Sequence, residues 1–296
     1  MKTQNILDLI GNTPLIELSH YSPSSKVRIF AKLEGNNPGG SIKDRVAKYL
    51  MMDAEEKGLV KKSNTIIEAT SGNTGIGLAM VSSVLGYKFV AVMPESASLE
   101  RRKILKQFGA EIILTDGKKG TNYSFEVARK LLNNDPGKYV MLNQYENNSN
   151  VLAHYETTAS EIIEQLPTVT HFVTGLGTGG TITGTGTRLK QYKQEIQVMG
   201  VEPKENSRIQ GLRNMKKYSP PIFNKEILDK NIMIENDEEV FKLARELPMK
   251  EGISVGISSG ASLWGALQIA NNIKEGNIVT IFPDRADRYV STELFN

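Results

Sequence analysis

The stretch TIIEATSGNTGIGLAMVSSVLGYKFVAVM, residues 65 to 93, decides the fold. It opens with the β-branched run TIIEA (65 to 69), crosses a small polar turn, continues as a helix-compatible run near 74 to 85, and closes with KFVAVM (88 to 93). Strand, helix and strand at this spacing make a βαβ unit, whose two strands lie parallel. The pattern continues with a helix expected at 98 to 108, the strand EIILT (111 to 115) and a helix at 122 to 133. A second series begins after YVMLN (139 to 143), with a helix near 150 to 165, HFVTG (171 to 175), a helix near 180 to 191 and IQVMGVE (196 to 202). Helices at 238 to 250 and 260 to 273 and the strand NIVTIFP (277 to 283) complete it. Upstream, PLIELS and VRIFAKLE read as consecutive strands, and SIKDRVAKYLMMDAEEKG carries Ile42, Val46, Leu50 and Ala54 at helical spacing.

The expected fold is therefore α/β with two domains, each a mainly parallel twisted sheet flanked by helices. A chain of 296 residues agrees with two domains of about 150 residues each. No low-complexity linker separates them; the polar stretch Tyr145 to Asn150 is the candidate boundary, giving domains 1–145 and 146–296. The early strands, about 13 to 34, are candidates to pack with the second domain.

Hydrophobic residues make up 39% and charged residues 23% of the chain, and 36 basic against 33 acidic side chains leave +3. That balance is too ordinary for a disordered chain, and no run of like charges exceeds three. Neither a nucleic acid nor a membrane surface is called for, so small molecules are the expected partners. With no cysteine, disulfides, thiolate metal sites and a cysteine nucleophile drop out. The start MKTQNILDLIGNTPL lacks a signal-peptide pattern and no apolar run is long enough to span a bilayer, so a cytoplasmic protein is expected. His20, His154 and His171 have no ligand spacing, and no metal site is expected.

Three turns sit where a strand gives way to a helix: ATSGNTGIG (69 to 77), GLGTGGTITG (175 to 184) and GISSGAS (256 to 262). N–H groups at a helix start lack intrahelical acceptors and the helix dipole favours negative charge, so such turns bind phosphates and carboxylates. The second matches GxGxxG at Gly175, Gly177 and Gly180, with Glu202 at the end of the next strand. This leaves a dinucleotide, and with it a NAD-dependent dehydrogenase, as an alternative to a simple phosphate ligand. A lysine on an amphipathic helix is ordinarily a solvated charge. Lys43 differs, because NNPGGSIKDR puts it in a first helical turn behind a proline and two glycines. There the dipole disfavours its protonation, which suits Schiff-base formation.

KLEGNNPGGSIKDR (32 to 45), EATSGNTGIGLAM (68 to 80), MPESASLERRKILKQFGAEIILT (93 to 115), GLGTGGTITG and GISSGAS resemble, in the same order, segments of the β-family (fold type II) of pyridoxal-phosphate enzymes. The likeness runs from GNTPL at residue 11 to DRYVSTELF. Within the family the chain is most similar to the cysteine synthases, or O-acetylserine sulfhydrylases. The resemblance implies a tryptophan synthase β-like fold with pyridoxal 5'-phosphate in a cleft between the domains, and it displaces the dinucleotide reading. It implies that Lys43 holds the cofactor covalently and then acts as base, with Asn73 on the ring oxygen. Thr70, Ser71, Gly72, Thr74 and Gln144 would hold the substrate carboxylate. Gly177, Thr178, Gly179, Gly180 and Thr181 would cradle the phosphate, and Ser258 would face the pyridine nitrogen.

The implied reaction is β-replacement, giving L-cysteine from O-acetyl-L-serine and sulfide through an aminoacrylate. Cystathionine β-synthase-like or cysteine-lyase chemistry on the same residues stays open. A homodimer is expected; a complex with serine acetyltransferase is not readable from these residues. The short stretch Glu202 to Phe223 and the early stop after LFN resemble the B-type branch, which accepts bulkier sulfur donors. Pro283 stands where some B-type members have a cysteine, and Arg213 alone marks the expected basic cluster, so thiosulfate use stays open.

Overall fold

The computed structural model describes residues 4–295. Two strands come first, β1 (Leu15–Glu17) and β2 (Val27–Leu33), paired antiparallel with Leu15 opposite Lys32. Helix α1 (Lys43–Glu56) follows, with Val46, Ala47, Leu50 and Ala54 buried as the 3.6-residue period requires. Next come β3 (Thr65–Ala69), α2 (Asn73–Leu85), β4 (Lys88–Pro94), α3 (Leu99–Gln107), β5 (Glu111–Thr115), α4 (Gly120–Asn134) and β6 (Tyr139–Val140). These four strands form one all-parallel sheet in the order β5-β4-β3-β6. Every residue of β3 and all but the first of β4 are buried, which is why neither reads as an alternating pattern.

The chain then runs through α5 (Ser149–Ala153), a π-helical segment at His154–Thr158, and α6 (Ala159–Gln165). The single helix expected at 150 to 165 thus carries a π turn in its middle. After β7 (His171–Gly175) come α7 (Gly180–Tyr192), β8 (Gln197–Pro203), β9 (Lys230–Ile234), α8 (Asp237–Glu251), α9 (Ile257–Ala270) and β10 (Gly276–Phe282). Their sheet has the order β1-β2-β10-β7-β8-β9, parallel apart from β1. Both early strands therefore belong to the C-terminal sheet, β2 pairing with β10 from Val27 opposite Gly276. Strand β9 was not expected: four of its five residues are at least partly exposed at the sheet edge, so it lacks a clear buried pattern. Only Tyr139 and Val140 of the expected YVMLN are strand.

Each sheet is covered on both faces. The C-terminal sheet holds one apolar core including Ile29, Val173 and Val201 with residues of α8 and α9, and another including Phe172, Val198 and Val279 with Ile162 and Ile182 from α6 and α7. The smaller sheet packs Ile66, Ala91 and Met93 against α1 and α2, and Ile67, Val90 and Val92 against Ala128 of α4. Helix α8 shows its ends in the sequence: Asn236 accepts from the Glu238 N–H, acids fill the first turn, and Gly252 closes it with φ 70°.

A buried ionic cluster joins the two sheets. Arg45 Nε lies 2.8 Å from Glu34 Oε2 and its Nη1 2.5 Å from Glu161 Oε1, while Lys32 Nζ lies 2.6 Å from Glu161 Oε2. Thr13 Oγ1 donates to Glu34 at 2.7 Å and the Asn12 N–H to Glu161 at 2.9 Å. Two cations face two anions, and α1 is thereby held to the end of β2 and to α6. Burial raises the Glu161 pKa, but hydrogen bonds and charge from Arg45 and Lys32 outweigh it and bring it from 4.5 down to about 2. A depressed acid pKa means stabilisation fully present above pH 4.5 and lost as pH falls through about 2. Glu34→Gln leaves Arg45 short of a charge partner and should destabilise the fold by about 3 to 5 kcal/mol. Urea midpoints at pH 7 measure this, and a midpoint within error of the parent would refute it.

Candidate active site

A cleft of about 1320 Å³ opens between the sheets, lined by Lys43, Thr70 to Thr74, Gln144, Gly177 to Gly179, Thr181 and Ser258. Every residue expected at the site thus faces one cavity except Gly180. A Cβ at Gly180 would lie 2.1 Å from Asn150 Oδ1, so that glycine lets α7 press against Asn150 rather than shaping the cleft wall. Cations on the wall (Lys43, Arg101, Lys119, Arg129, Lys204, Arg213, Lys217) outnumber Glu126, Glu146 and Glu205, which favours anionic ligands.

Lys43 is the first residue of α1 and half-buried. Desolvation lowers its amine to about 8, against the opposing charges of Asp284 and Glu34. A Cβ at Gly77 would lie 3.0 Å from the Lys43 carbonyl oxygen, so that glycine allows α1 and α2 to cross closely enough to bring Lys43 beside the 70 to 74 turn. Asn73 and Thr74 open α2, where N–H groups have no intrahelical acceptor. Thr74 Oγ1 donates to Gln144 Oε1 at 2.6 Å, leaving the Gln144 amide donors for a ligand. The Gly177 to Thr181 turn leads into α7, with Gly179 at φ 86° and pressed against Phe223, a conformation and a contact that exclude a side chain.

Ser258 is the second residue of α9, and the cap position is held by Gly256. Among the described residues its hydroxyl faces the cleft and makes no hydrogen bond. The dinucleotide alternative fails. Glu202 is buried, is absent from the cleft lining, and accepts from the Met215 N–H and from Asn231 Nδ2, both at 2.7 Å, so it serves the loop and β9 rather than a ribose. Arg213 donates to the Tyr145 hydroxyl at 2.7 Å and stacks over the Tyr145 and Tyr218 rings.

Sequence reading missed Glu68, Asp284 and Arg288. Glu68 lies within β3, where its carboxylate accepts from the Asn143 and Gln144 N–H groups at 3.1 and 3.4 Å; Asn143 itself sits at φ 52°. The carboxylate thus holds the loop that presents Gln144. A charge inside an apolar strand was the available signal. Asp284 and Arg288 both contact Asn73, and were hidden because they follow the last strand, outside any glycine-rich turn.

A profile of the pyridoxal-phosphate dependent enzymes matches residues 6–284. The chain is 46% identical to the cysteine synthase of Aquifex aeolicus (strain VF5), the match covering 99% of this chain and 92% of that protein. It is 41% identical to cysteine synthase B of Escherichia coli (strain K12), over 97% and 94%. The crystal structure of cysteine synthase (OASS) from Entamoeba histolytica superposes with a TM-score of 0.95 at 38% identity, over 100% of this chain and 91% of that one. The chain belongs to the pyridoxal-phosphate dependent enzyme family. It is an enzyme, and its cofactor is pyridoxal phosphate. The cleft fits that group: it offers an amine with a lowered pKa, a glycine and threonine turn at a helix start for an anion, and a serine hydroxyl with no protein partner.

Burial pushes Glu68 up from 4.5 to about 7, against the lowering effect of its backbone N–H partners. A raised acid pKa means stability present below pH 4.5 and lost as pH rises through about 7. Relative to Glu68→Gln, the parent should therefore lose about 3 kcal/mol between pH 4.5 and 8. Parallel unfolding curves for the two proteins across that range would contradict this.

Proposed function

We propose that this protein forms L-cysteine from O-acetyl-L-serine and sulfide by β-replacement. The observation that carries the reading is the meeting at one cleft of the Lys43 amine, the α2 helix start and the Gly177 to Thr181 turn. When bound, pyridoxal phosphate supplies an electron sink for carbanion chemistry at the amino-acid α-carbon. Lys43 Nζ holds the cofactor covalently, and once displaced takes the α-proton and later returns it. Thr70, Ser71, Gly72 and Thr74, with Gln144, bind the substrate carboxylate at the start of α2. Asn73 donates to the cofactor's ring oxygen, Gly177 to Thr181 hold its phosphate, and the Ser258 hydroxyl meets the ring nitrogen. A hydroxyl there provides no counter-charge for a protonated ring, which favours expulsion of the β-substituent over side reactions of a delocalised carbanion.

The reading extends to two domains divided near residue 145, with strands β1 and β2 joined to the second, and to a cytoplasmic homodimer. Among the described residues no helix is long and apolar enough to cross a membrane. Assays with O-acetylserine plus sulfide, with serine plus homocysteine, and with cysteine alone test the activity. Turnover confined to the second or third would replace it with the sibling chemistry.

Lys43→Ala should melt like the parent, because the side chain faces the cleft, and should lose covalent cofactor attachment and all turnover. Attachment of pyridoxal phosphate to the apo-protein should accelerate as pH rises through about 8, where Lys43 gives up its proton. Near-parental turnover in Lys43→Ala would overturn the assignment. Thr74→Ala frees Gln144 from its 2.6 Å partner and should weaken O-acetylserine binding by about 1.5 to 3 kcal/mol with cofactor affinity unchanged. Loss of cofactor instead would mean that the two anion turns have been given the wrong ligands.

A further inference from the structure

The side chain of Asn73 is gripped by the segment after β10. Its Nδ2 donates to Asp284 Oδ2 at 2.6 Å, and its Oδ1 accepts from Arg288 Nη1. Tyr289 donates its hydroxyl to the same Asp284 oxygen at 2.7 Å. Arg288 also donates to the Gly39 carbonyl, in the loop leading to Lys43, and the Gly256 N–H donates to the Asp284 carbonyl at 3.1 Å, two residues before Ser258. Gly256 lets the carboxylate lie against its backbone, since a Cβ there would fall 2.0 Å from Asp284 Oδ1.

An asparagine amide offers two N–H donors and one acceptor oxygen. The amide oxygen is turned toward Arg288 and one N–H toward Asp284, so the second N–H is the donor left to meet a ligand. We propose that Asp284 and Arg288 are positioning residues that lock the Asn73 amide so that it presents only a donor to the ring oxygen of pyridoxal phosphate. A free amide could turn over and present its own oxygen, which an anionic ring oxygen repels. The lock removes that orientation and keeps the ring oxygen in its ionised form. The inference rests on the contact between Asn73 and the ring oxygen proposed above.

The test compares Asp284→Asn, Asn73→Ala and the double variant, reading the dissociation constant of pyridoxal phosphate, the ratio of near-ultraviolet to visible cofactor absorbance without substrate, and the apo-protein melting temperature. Asp284→Asn is isosteric. It should raise the dissociation constant about tenfold, the loss of one hydrogen bond to a charged group, and shift absorbance toward the near-ultraviolet band of the protonated ring oxygen. In the Asn73→Ala background the same change should have no further effect on either readout. Arg288→Gln carries the same comparison if Asp284→Asn does not fold.

Parental affinity and spectrum in Asp284→Asn, with only the melting temperature lowered, would make the cluster merely structural and overturn the inference. So would equal effects of Asp284→Asn with and without Asn73. If Asn73→Ala itself leaves the spectrum and affinity unchanged, the ring-oxygen contact fails and this inference fails with it. A change in Asn73→Ala without one in Asp284→Asn defeats the inference alone.

Discussion

The charge cluster of Lys32, Glu34, Arg45 and Glu161 is the constraint on which the cleft depends. Arg45 lies two residues after Lys43 on the same helix, and it is tied to β2 through Glu34 and to α6 through Glu161. Helix α1 packs with α2 in the core of the smaller sheet, but its first turn is anchored by charges that belong to the other. Two ionised pairs in a dry site are costly to assemble and costlier to break singly. Their effect here is geometric: the helical turn that carries Lys43 is held between two sheets that share no strand.

From that anchor the site is built by close approach. Gly77 lets α2 lie against the Lys43 carbonyl. Glu68 holds the Asn143 to Gln144 backbone from beneath, and Asn150 carries the connection onward, donating to the Gln144 carbonyl at 2.8 Å and to Thr178 Oγ1 at 3.0 Å. The 70 to 74 turn and the Gly177 to Thr181 turn are thus joined by buried hydrogen bonds as well as by the common cleft.

Much of this was legible in the sequence, for a physical reason. Parallel strands buried on both faces must be continuously apolar, so β3, β4 and β7 announced themselves. Glycine-rich turns at helix starts marked Thr70 to Thr74 and Gly177 to Thr181 before any contact was known. What the sequence hid was long-range polar pairing. Glu68 reads as an interruption of a strand, Glu202 as a ribose ligand, and Asp284 as nothing in particular, until their partners 75, 29 and 211 residues away are in place. The exposed edge strand β9 was missed for lack of a buried stripe, and the π turn at His154 to Thr158 has no periodic signature that a sequence could show.

The register of β2 against β10 also bears on how the chain is made. Val27 pairs with Gly276, so about 250 residues leave the ribosome between one strand and its partner, a wait of roughly 12 to 50 s at usual elongation rates of about 5 to 20 residues per second. Throughout it the β2 edge that will face β10 has nothing to pair with, although β2 is itself largely apolar. Such a strand is a template for wrong pairing. Strand β1, its antiparallel neighbour on the other edge, is available from the outset and can shield one side of it. The smaller sheet, whose four strands lie between residues 65 and 140, has all its partners early. Vectorial synthesis therefore allows the smaller sheet to form first and leaves the C-terminal sheet, and with it the completed cleft, to wait for β10.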